Sequence, residues 1–295
     1  MNKNKLAKAN LYTGIDTIEV RSDTEIAPET EADFAPTCTR KNTATGACYY
    51  KLNPDKGNNG LQIYNSTDYY GIRDYMITFL NMTNPTKTRI DFRIDSFDDN
   101  FEELLKLNKL LILLIAEAYN ITNIYETQNP MTLKKLCVRI QNQYIEAENY
   151  NKGIEEPDGD VKNRLELRSK KLYDDTAEAT KEITEFKKWC DRLDNAVTKE
   201  NFERLQNRIN NSLYERYKIE SRERGFKLSY LLHEYRNSIF TSKQLADFYR
   251  MLGYKDPDQQ AKRYKQRKYI EYFSHKDICT YVQMIKDSGA RFFDT

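Results

Sequence analysis

The sequence predicts an α+β fold in which an antiparallel β-sheet flanked by helices is followed by a helical C-terminal region. Three short stretches alternate apolar with polar residues, as strands with one buried face do. From Lys171 onward the apolar residues recur at helical spacing instead. These patterns divide the chain into an irregular N-terminal segment over residues 1–45, a sheet domain over residues 46–196 and a helical region over residues 197–295.

The first alternating stretch, residues 88–95, has the sequence TRIDFRID. One face of such a strand is apolar and consists of Ile90, Phe92 and Ile94. The opposite face is wholly charged and consists of Arg89, Asp91, Arg93 and Asp95. A solvated edge strand can carry such a row of charges for solubility alone. The repetition of the pattern further along the chain favours a functional surface.

Two more stretches are built in the same way, NRLELRSK at residues 163–170 and LCVRIQN at residues 136–142. Their polar faces add five charged or amide side chains, which are Arg164, Glu166, Arg168, Arg139 and Gln141. In one sheet these side chains would share a surface with Asp91. Carboxylate oxygens are preferred ligands of Mg²⁺, and arginine guanidinium groups suit phosphates.

Capping and turn signals predict the other elements. A short strand is predicted over residues 17–21, a hairpin over 47–64, a helix over 66–80, a buried helix over 101–119 and a loop over 146–163. In the C-terminal part, helices are predicted over residues 172–195, 198–225, 228–240, 241–252 and 274–286, with one more after Pro257. The helix predicted over residues 274–286 begins with a capping-box pattern at Ser274.

Composition excludes two classes of protein. The most apolar run covers only residues 110–116, far short of the ~20 residues that a membrane span requires. The five cysteines are scattered without CxxC spacing and the two histidines lie far from any paired cysteines, so no zinc site is expected. Scattered cysteines and the lack of an apolar N-terminal stretch predict a cytoplasmic location.

The charge is distributed unevenly along the chain. Residues 161–295 carry 29 basic against 21 acidic residues, whereas residues 1–160 carry 18 against 24. Within the basic half, residues 262–269 contain no acid and five basic side chains among tyrosines: Lys262, Arg263, Lys265, Arg267 and Lys268. A helix, a tight turn and a basic helix form the outline of a helix-turn-helix. We predict that this segment contacts DNA, although a solvated helical face is the simpler alternative.

The strand motifs resemble those of replication initiators of rolling-circle plasmids, of the trans-acting type found in Gram-positive bacteria. The resemblance rests on TRIDFRID followed by an acidic turn and a helix, on VRIQN at residues 138–142, and on NRLELRSK leading into a helix. It covers about residues 86–180. It implies a metal-dependent site on an antiparallel sheet related to that of HUH nucleases, built without their paired histidines.

The resemblance assigns roles to the charged residues of the strands. Asp91 and Glu166 are expected to bind a divalent metal, Mg²⁺ or Mn²⁺, with Gln141 as a further ligand. Arg89 and Arg164 are expected to stabilise the reacting phosphate. A nucleophilic tyrosine is expected on the helix after the last of these strands.

The implied activity is the nicking of one strand at a plasmid or mobile-element origin. A covalent 5′-phosphotyrosine would form, and the freed 3′-hydroxyl would prime rolling-circle replication. Tyr173 is the expected nucleophile, with Tyr144 and Tyr150 as rivals, and Arg139 is expected to contact nucleic acid. The expected partners are double-stranded origin DNA and the single-stranded nick site. No contact with a membrane is expected. A host helicase, a polymerase and a homodimer remain open as further partners.

Two functions from other classes compete with this one. A non-catalytic, sequence-specific DNA-binding protein would use only the basic C-terminal helices, and the charges of the sheet would form structural ion pairs. A helical scaffold for protein partners would instead use the long helical stretch over residues 172–224. Salt-dependent binding to DNA separates the scaffold from the other two functions.

Overall fold

The computed structural model describes residues 10–26, 37–52, 82–97, 101–127, 137–152, 159–161, 163–175, 180–208, 242–251, 254–266 and 273–290. Within these ranges eight strands form one antiparallel sheet: β1 Leu11–Ser22, β2 Thr37–Lys41, β3 Cys48–Leu52, β4 Thr86–Ser96, β5 Ile124–Thr127, β6 Cys137–Gln141, β7 Ile145–Tyr150 and β8 Asn163–Asp175. Across the sheet the strands follow the order β2-β3-β1-β4-β8-β7-β6-β5. The predicted α+β class with an antiparallel sheet is confirmed.

Five helices accompany the sheet in the described ranges: α1 Phe101–Ala118, α2 Thr180–Ala196, α3 Ser242–Met251, α4 Pro257–Gln266 and α5 His275–Ser288. Residues 199–208 are also helical. Helices α1, α2 and α5 pack on one face of the sheet, which we call the core face. None of the described helices has the length and apolar content needed to cross a bilayer.

The core face is built by the alternation that the sequence predicts. Phe92 on β4 and Leu167 on β8 are fully buried there, and the ring centroid of Phe92 lies 5.3 Å from that of Phe186 on α2. Trp189, also on α2, donates a hydrogen bond from Nε1 to Ser169 Oγ at 3.0 Å. Each large side chain buried in this way contributes about 1.5–3 kcal/mol. The sheet therefore has one face fixed by packing, which orients the opposite face.

The last helix, α5, belongs to the same core. The Tyr281 hydroxyl donates to Asn108 Oδ1 on α1 at 2.5 Å, and Asn108 Nδ2 donates to Asn149 Oδ1 on β7 at 3.2 Å. The predicted capping box is present, because Ser274 and Asp277 bond each other's backbone N–H groups. The division of the chain at residue 197 is therefore wrong for α5, which packs with the sheet domain.

The N-terminal segment also differs from its prediction. Strand β1 lies between β3 and β4, and β2 pairs with β3, so residues 11–22 and 37–41 are part of the sheet rather than irregular. Strand β3 was predicted to pair within a hairpin over residues 47–64. The second half of that hairpin and the helix predicted over residues 66–80 lie outside the described residues.

Two corrections concern the region before α2. The loop predicted over residues 146–163 contains β7, which runs from Ile145 to Tyr150. The helix predicted from Leu172 begins at Thr180, because β8 continues to Asp175. The strand continues through a bulge, in which Lys171 has a positive φ of 56° and Thr88 faces three residues of β8.

The two helices predicted on either side of residue 253 are confirmed as α3 and α4. They pack against each other, with Tyr249 and Ala261 buried. Tyr249 also meets Tyr254 edge to face, at 5.2 Å between ring centroids. The structure thus contains two helices that pack against each other in this region.

Candidate metal centre

The face of the sheet opposite the core, here called the charged face, carries ionisable side chains in rows across the strands. In one row Arg168 on β8 lies between Asp91 on β4 and Glu146 on β7. In the next row Glu166 on β8 pairs with Arg93 on β4. Asp91 and Glu166 therefore lie on the same face of neighbouring strands, one row apart.

Three carboxylates converge on this face. Asp16 on β1, Asp91 on β4 and Glu166 on β8 each place an oxygen within 4.8 Å of the other two. Asp91 is 1% exposed and Glu166 is 4% exposed, whereas Asp16 is half-buried. We call these three residues the acidic triad. They come from three adjacent strands, because β4 lies between β1 and β8.

Two arginines contact Asp91. Arg89 donates from Nε to Oδ1 at 2.6 Å and from Nη2 to Oδ2. Arg168 Nε lies 3.3 Å from Oδ2. Burial raises the pKa of Asp91 above its usual value even though both arginines act to lower it. The arginines thus compensate the buried charge only in part.

Glu166 is held from two sides. The Tyr150 hydroxyl donates to Oε1 at 2.6 Å, and Arg168 Nη2 donates to Oε2. Burial raises the pKa of Glu166, Arg168 opposes that change, and the nearby Asp16 carboxylate adds to it. Two members of the acidic triad therefore carry a charge that their surroundings disfavour.

The residues of the acidic triad fit a hard divalent cation. They supply three oxygen donors of the kind that Mg²⁺ and Mn²⁺ prefer. A carboxylate has about four lone-pair sites, so the arginine contacts of Asp91 do not use all of its acceptor capacity. The raised pKa values of Asp91 and Glu166 indicate that additional positive charge would be favourable at this point.

A second acid on the same face has a different environment. Glu146 interacts with Arg139 Nε at 2.9 Å, with Lys170 Nζ at 3.0 Å and with Arg168 Nη1. We call this group the Glu146 cluster. Burial acts to raise the pKa of Glu146, but Arg168, Lys170 and Arg139 outweigh burial and lower the pKa. The Glu146 cluster is therefore a satisfied ion network.

The structure corrects the roles expected for two polar residues. Gln141 lies on β6, two strands from β8, which is roughly 10 Å at ~4.8 Å per strand. Its Oε1 accepts a hydrogen bond from Arg139 Nη2 at 2.9 Å, so Gln141 does not join the acidic triad. Arg164 donates to both oxygens of Asp95, at 2.6 and 3.0 Å, and to Asp16 at 2.7 Å. All three guanidinium nitrogens of Arg164 are thus engaged in ion pairs with Asp95 or Asp16.

The three candidate tyrosines lie in different places. Tyr150 on β7 reaches the acidic triad through its bond to Glu166. Tyr144 is 57% exposed in the turn between β6 and β7. Tyr173 lies in β8, so its placement on a helix was wrong, and its side chain lies outside the described part of the chain. Its role as nucleophile stays a prediction.

The basic segment of the C-terminal region is described only in part. Lys262 is exposed on α4. Arg263 and Lys265 lie on the same helix, and Arg267 and Lys268 lie beyond the described residues. Contact of this segment with DNA stays a prediction.

Asp16 was missed by the sequence analysis. Its strand contains a register shift between Ile15 and Thr17, which separates the buried Ile15 and Ile18 by three positions instead of two. The strict alternation that marks β4 and β8 is therefore broken at the acid itself. A search for strands that tolerates one bulge would have placed Asp16 opposite the apolar face.

Comparisons with known proteins find little similarity. No protein-family model and no curated protein matches the sequence. Among solved structures, a rolling circle replication initiator protein from Geobacillus stearothermophilus is similar with a TM-score of 0.32 and 15% sequence identity. The match covers 56% of this chain and 76% of that one. A similarity at this level carries no argument about function.

Proposed function

We propose that the protein is a replication initiator that nicks one DNA strand by metal-dependent transfer of a phosphate onto a tyrosine. The observation that carries the proposal is the convergence of Asp16, Asp91 and Glu166 beside arginines on one face of the sheet. The resemblance of the strand motifs to rolling-circle initiators supports the choice of reaction.

The acidic triad would hold one Mg²⁺ or Mn²⁺ ion. Such an ion, when bound, polarises the scissile phosphate and stabilises the charge that gathers in the transition state. The buried carboxylates would contribute by holding negative charge at a fixed place, where Asp91 is in contact with Arg89 and Arg168. Removal of any of the three acids is therefore expected to weaken cation binding.

Arg89 is the better arginine for phosphate contact. It uses Nε and Nη2 for Asp91, and its fork of five N–H groups leaves others for a phosphate oxygen. Its side chain is 20% exposed, against 7% for Arg164, whose three nitrogens all contact Asp95 or Asp16. We therefore assign the phosphate contact to Arg89 and a structural role to Arg164.

Tyr173 is the proposed nucleophile. Its hydroxyl would form a bond to phosphorus and release its proton to solvent, while the bond from phosphorus to the 3′ oxygen breaks and that oxygen takes up a proton. The products are a 5′-phosphotyrosine and a free 3′-hydroxyl, which can prime synthesis by a host polymerase. The covalent link conserves the bond energy, so the same residue can rejoin the ends.

Origin recognition is assigned to α3 and α4. The exposed Lys262 and the other basic residues of the segment would contact phosphates, and a few side chains would reach base edges in a major groove. The chain would thereby combine a nicking site on the sheet with a helical pair for DNA binding.

The direct experiment is incubation with supercoiled DNA carrying the sequence that flanks the gene, in the presence of Mg²⁺ or Mn²⁺. After denaturation with SDS, we expect a covalent protein–DNA adduct that is lost with EDTA and lost in Tyr173→Phe. Tyr144→Phe is the matched control and should retain the adduct, since Tyr144 lies in an exposed turn. Absence of an adduct from the wild-type protein with every cation would reject the nickase.

The second candidate function is a DNA-binding protein without catalysis. The pairing of both Asp91 oxygens with Arg89 favours it, because the same geometry serves a purely structural ion network. This function predicts salt-dependent binding to DNA with no adduct under any condition. The adduct assay therefore separates the two functions.

A further inference from the structure

Tyr150 places an uncharged hydrogen-bond donor inside the charged face. Its side chain is 8% exposed, and its hydroxyl lies 2.6 Å from Glu166 Oε1. It reaches Glu166 from β7, the strand next to β8, where its own backbone partner is Arg164. The contact is therefore fixed by the pairing of two strands in the interior of the sheet.

Arg168, which also contacts Glu166, is shared with several other acids. Arg168 contacts Glu166, Asp91, Glu146 and, at 3.3 Å, Glu148. Arg168 donates to Oε2 of Glu166, whereas Tyr150 donates to the other oxygen, Oε1. The bond from Tyr150 thus provides a constraint on the carboxylate of Glu166 that Arg168 does not.

A neutral donor has an electrostatic advantage at a cation site. A phenol orients the carboxylate but adds no positive charge, so the acidic triad keeps the negative potential that a cation requires. The hydroxyl is the donor in this contact, because an ionised carboxylate can only accept a hydrogen bond.

We propose that Tyr150 is a positioning residue that holds the Glu166 carboxylate in the orientation in which the acidic triad binds its divalent cation. This inference rests on the proposed metal-dependent function and extends it to a residue that does not itself touch the cation or the phosphate. It also assigns to Tyr150 a role different from that of Tyr173, the proposed nucleophile.

The test measures Mn²⁺ affinity by electron paramagnetic resonance in the full-length protein without DNA. Tyr150→Phe keeps the ring and removes only the hydroxyl, and we expect its affinity for Mn²⁺ to fall about 10-fold. Tyr144→Phe makes the same change at an exposed position and should bind Mn²⁺ as the wild type does. In a Glu166→Gln background, Tyr150→Phe should cause no further loss, because the carboxylate that it orients is gone.

A second readout separates positioning from direct attack. Tyr150→Phe should form the covalent DNA adduct again when Mn²⁺ is raised to saturation, whereas Tyr173→Phe should bind Mn²⁺ normally and form none. Mn²⁺ affinity of Tyr150→Phe within twofold of the wild type, or loss of its adduct at every Mn²⁺ concentration, would overturn the inference. A wild-type protein that binds no Mn²⁺ would overturn the proposed function as well.

Discussion

The acidic triad and the Glu146 cluster lie on the same face of the same sheet, yet their carboxylates respond to burial in opposite ways. Glu146 meets three basic side chains, which bring its pKa below the usual value. Asp91 and Glu166 share Arg168 with Glu146, and their pKa values are raised by burial. The same arginine thus contacts one carboxylate whose pKa its basic neighbours lower and two carboxylates whose pKa burial raises.

The difference in pKa indicates different roles for the acidic triad and the Glu146 cluster. A carboxylate that is fully matched by cations stabilises the fold and has no use for a further positive charge. Buried carboxylates whose charge is compensated only in part cost stability, unless another cation binds there. Proteins retain such unfavourable groups mainly where function requires them.

The largest expected effect is on the rate of the proposed reaction, which should depend on the acidic triad and not on the Glu146 cluster. We expect Asp91→Asn to lower the rate of adduct formation by about 1,000-fold, because it removes a proposed ligand of an ion that would supply roughly 4 kcal/mol of transition-state stabilisation. The measurement is a time course of adduct formation on supercoiled origin DNA. Affinity for the DNA, measured by filter binding, should stay within about threefold.

Glu146→Gln is the control for that experiment. It removes one carboxylate charge from the same face of the sheet. Glu146 lies in the same row as Asp91, with Arg168 between them. Under conditions where the variant is folded, its rate should stay within about threefold of the wild type. Equal losses in the two variants would remove the distinction between the acidic triad and the Glu146 cluster.

A smaller effect concerns stability. Glu146→Gln should lower the free energy of unfolding at neutral pH by about 2 kcal/mol, because it leaves Arg168 and Lys170 with one fewer buried counter-charge. Since the folded pKa of Glu146 is lowered, its ionised form stabilises the fold above the unfolded pKa, and that contribution disappears as the pH falls through the folded pKa.

The pH dependence supplies the check on this second prediction. Urea unfolding of both proteins at about pH 7 and at successively lower values should show the full difference down to the usual glutamate range near pH ~4.3 and a shrinking difference below it. A difference that is constant with pH would mean that the variant acts through packing rather than through charge.

Much of the sheet was predictable because apolar and polar residues alternate along a strand that has one buried face. The location of Asp91 and Glu166 on one face follows directly from the positions of Phe92 and Leu167 on the other. Helix α1 was predicted within a residue of its observed end, Ala118, from its continuous apolar stretch.

The rest depends on tertiary contacts that leave little trace in the sequence. Strand β7 has the polar sequence IEAENY, and its charged Glu146 is buried only because Arg168 and Lys170 face it from β8. Strand β8 continues past Lys171 by adopting a positive φ, which no local signal marks. The contact of Tyr150 with Glu166 was therefore not predicted, because the strand that carries Tyr150 was predicted as a loop. Asp16 was not predicted because its strand contains a bulge.

The central claim is that the acidic triad binds a divalent cation and the Glu146 cluster does not. Its most direct test is a titration of Mn²⁺ followed by electron paramagnetic resonance for the wild type, Asp91→Asn and Glu146→Gln. We expect about one Mn²⁺ per chain in the wild type and in Glu146→Gln, and none at the same concentrations in Asp91→Asn. Saturable binding in Asp91→Asn equal to that of the wild type would contradict the claim.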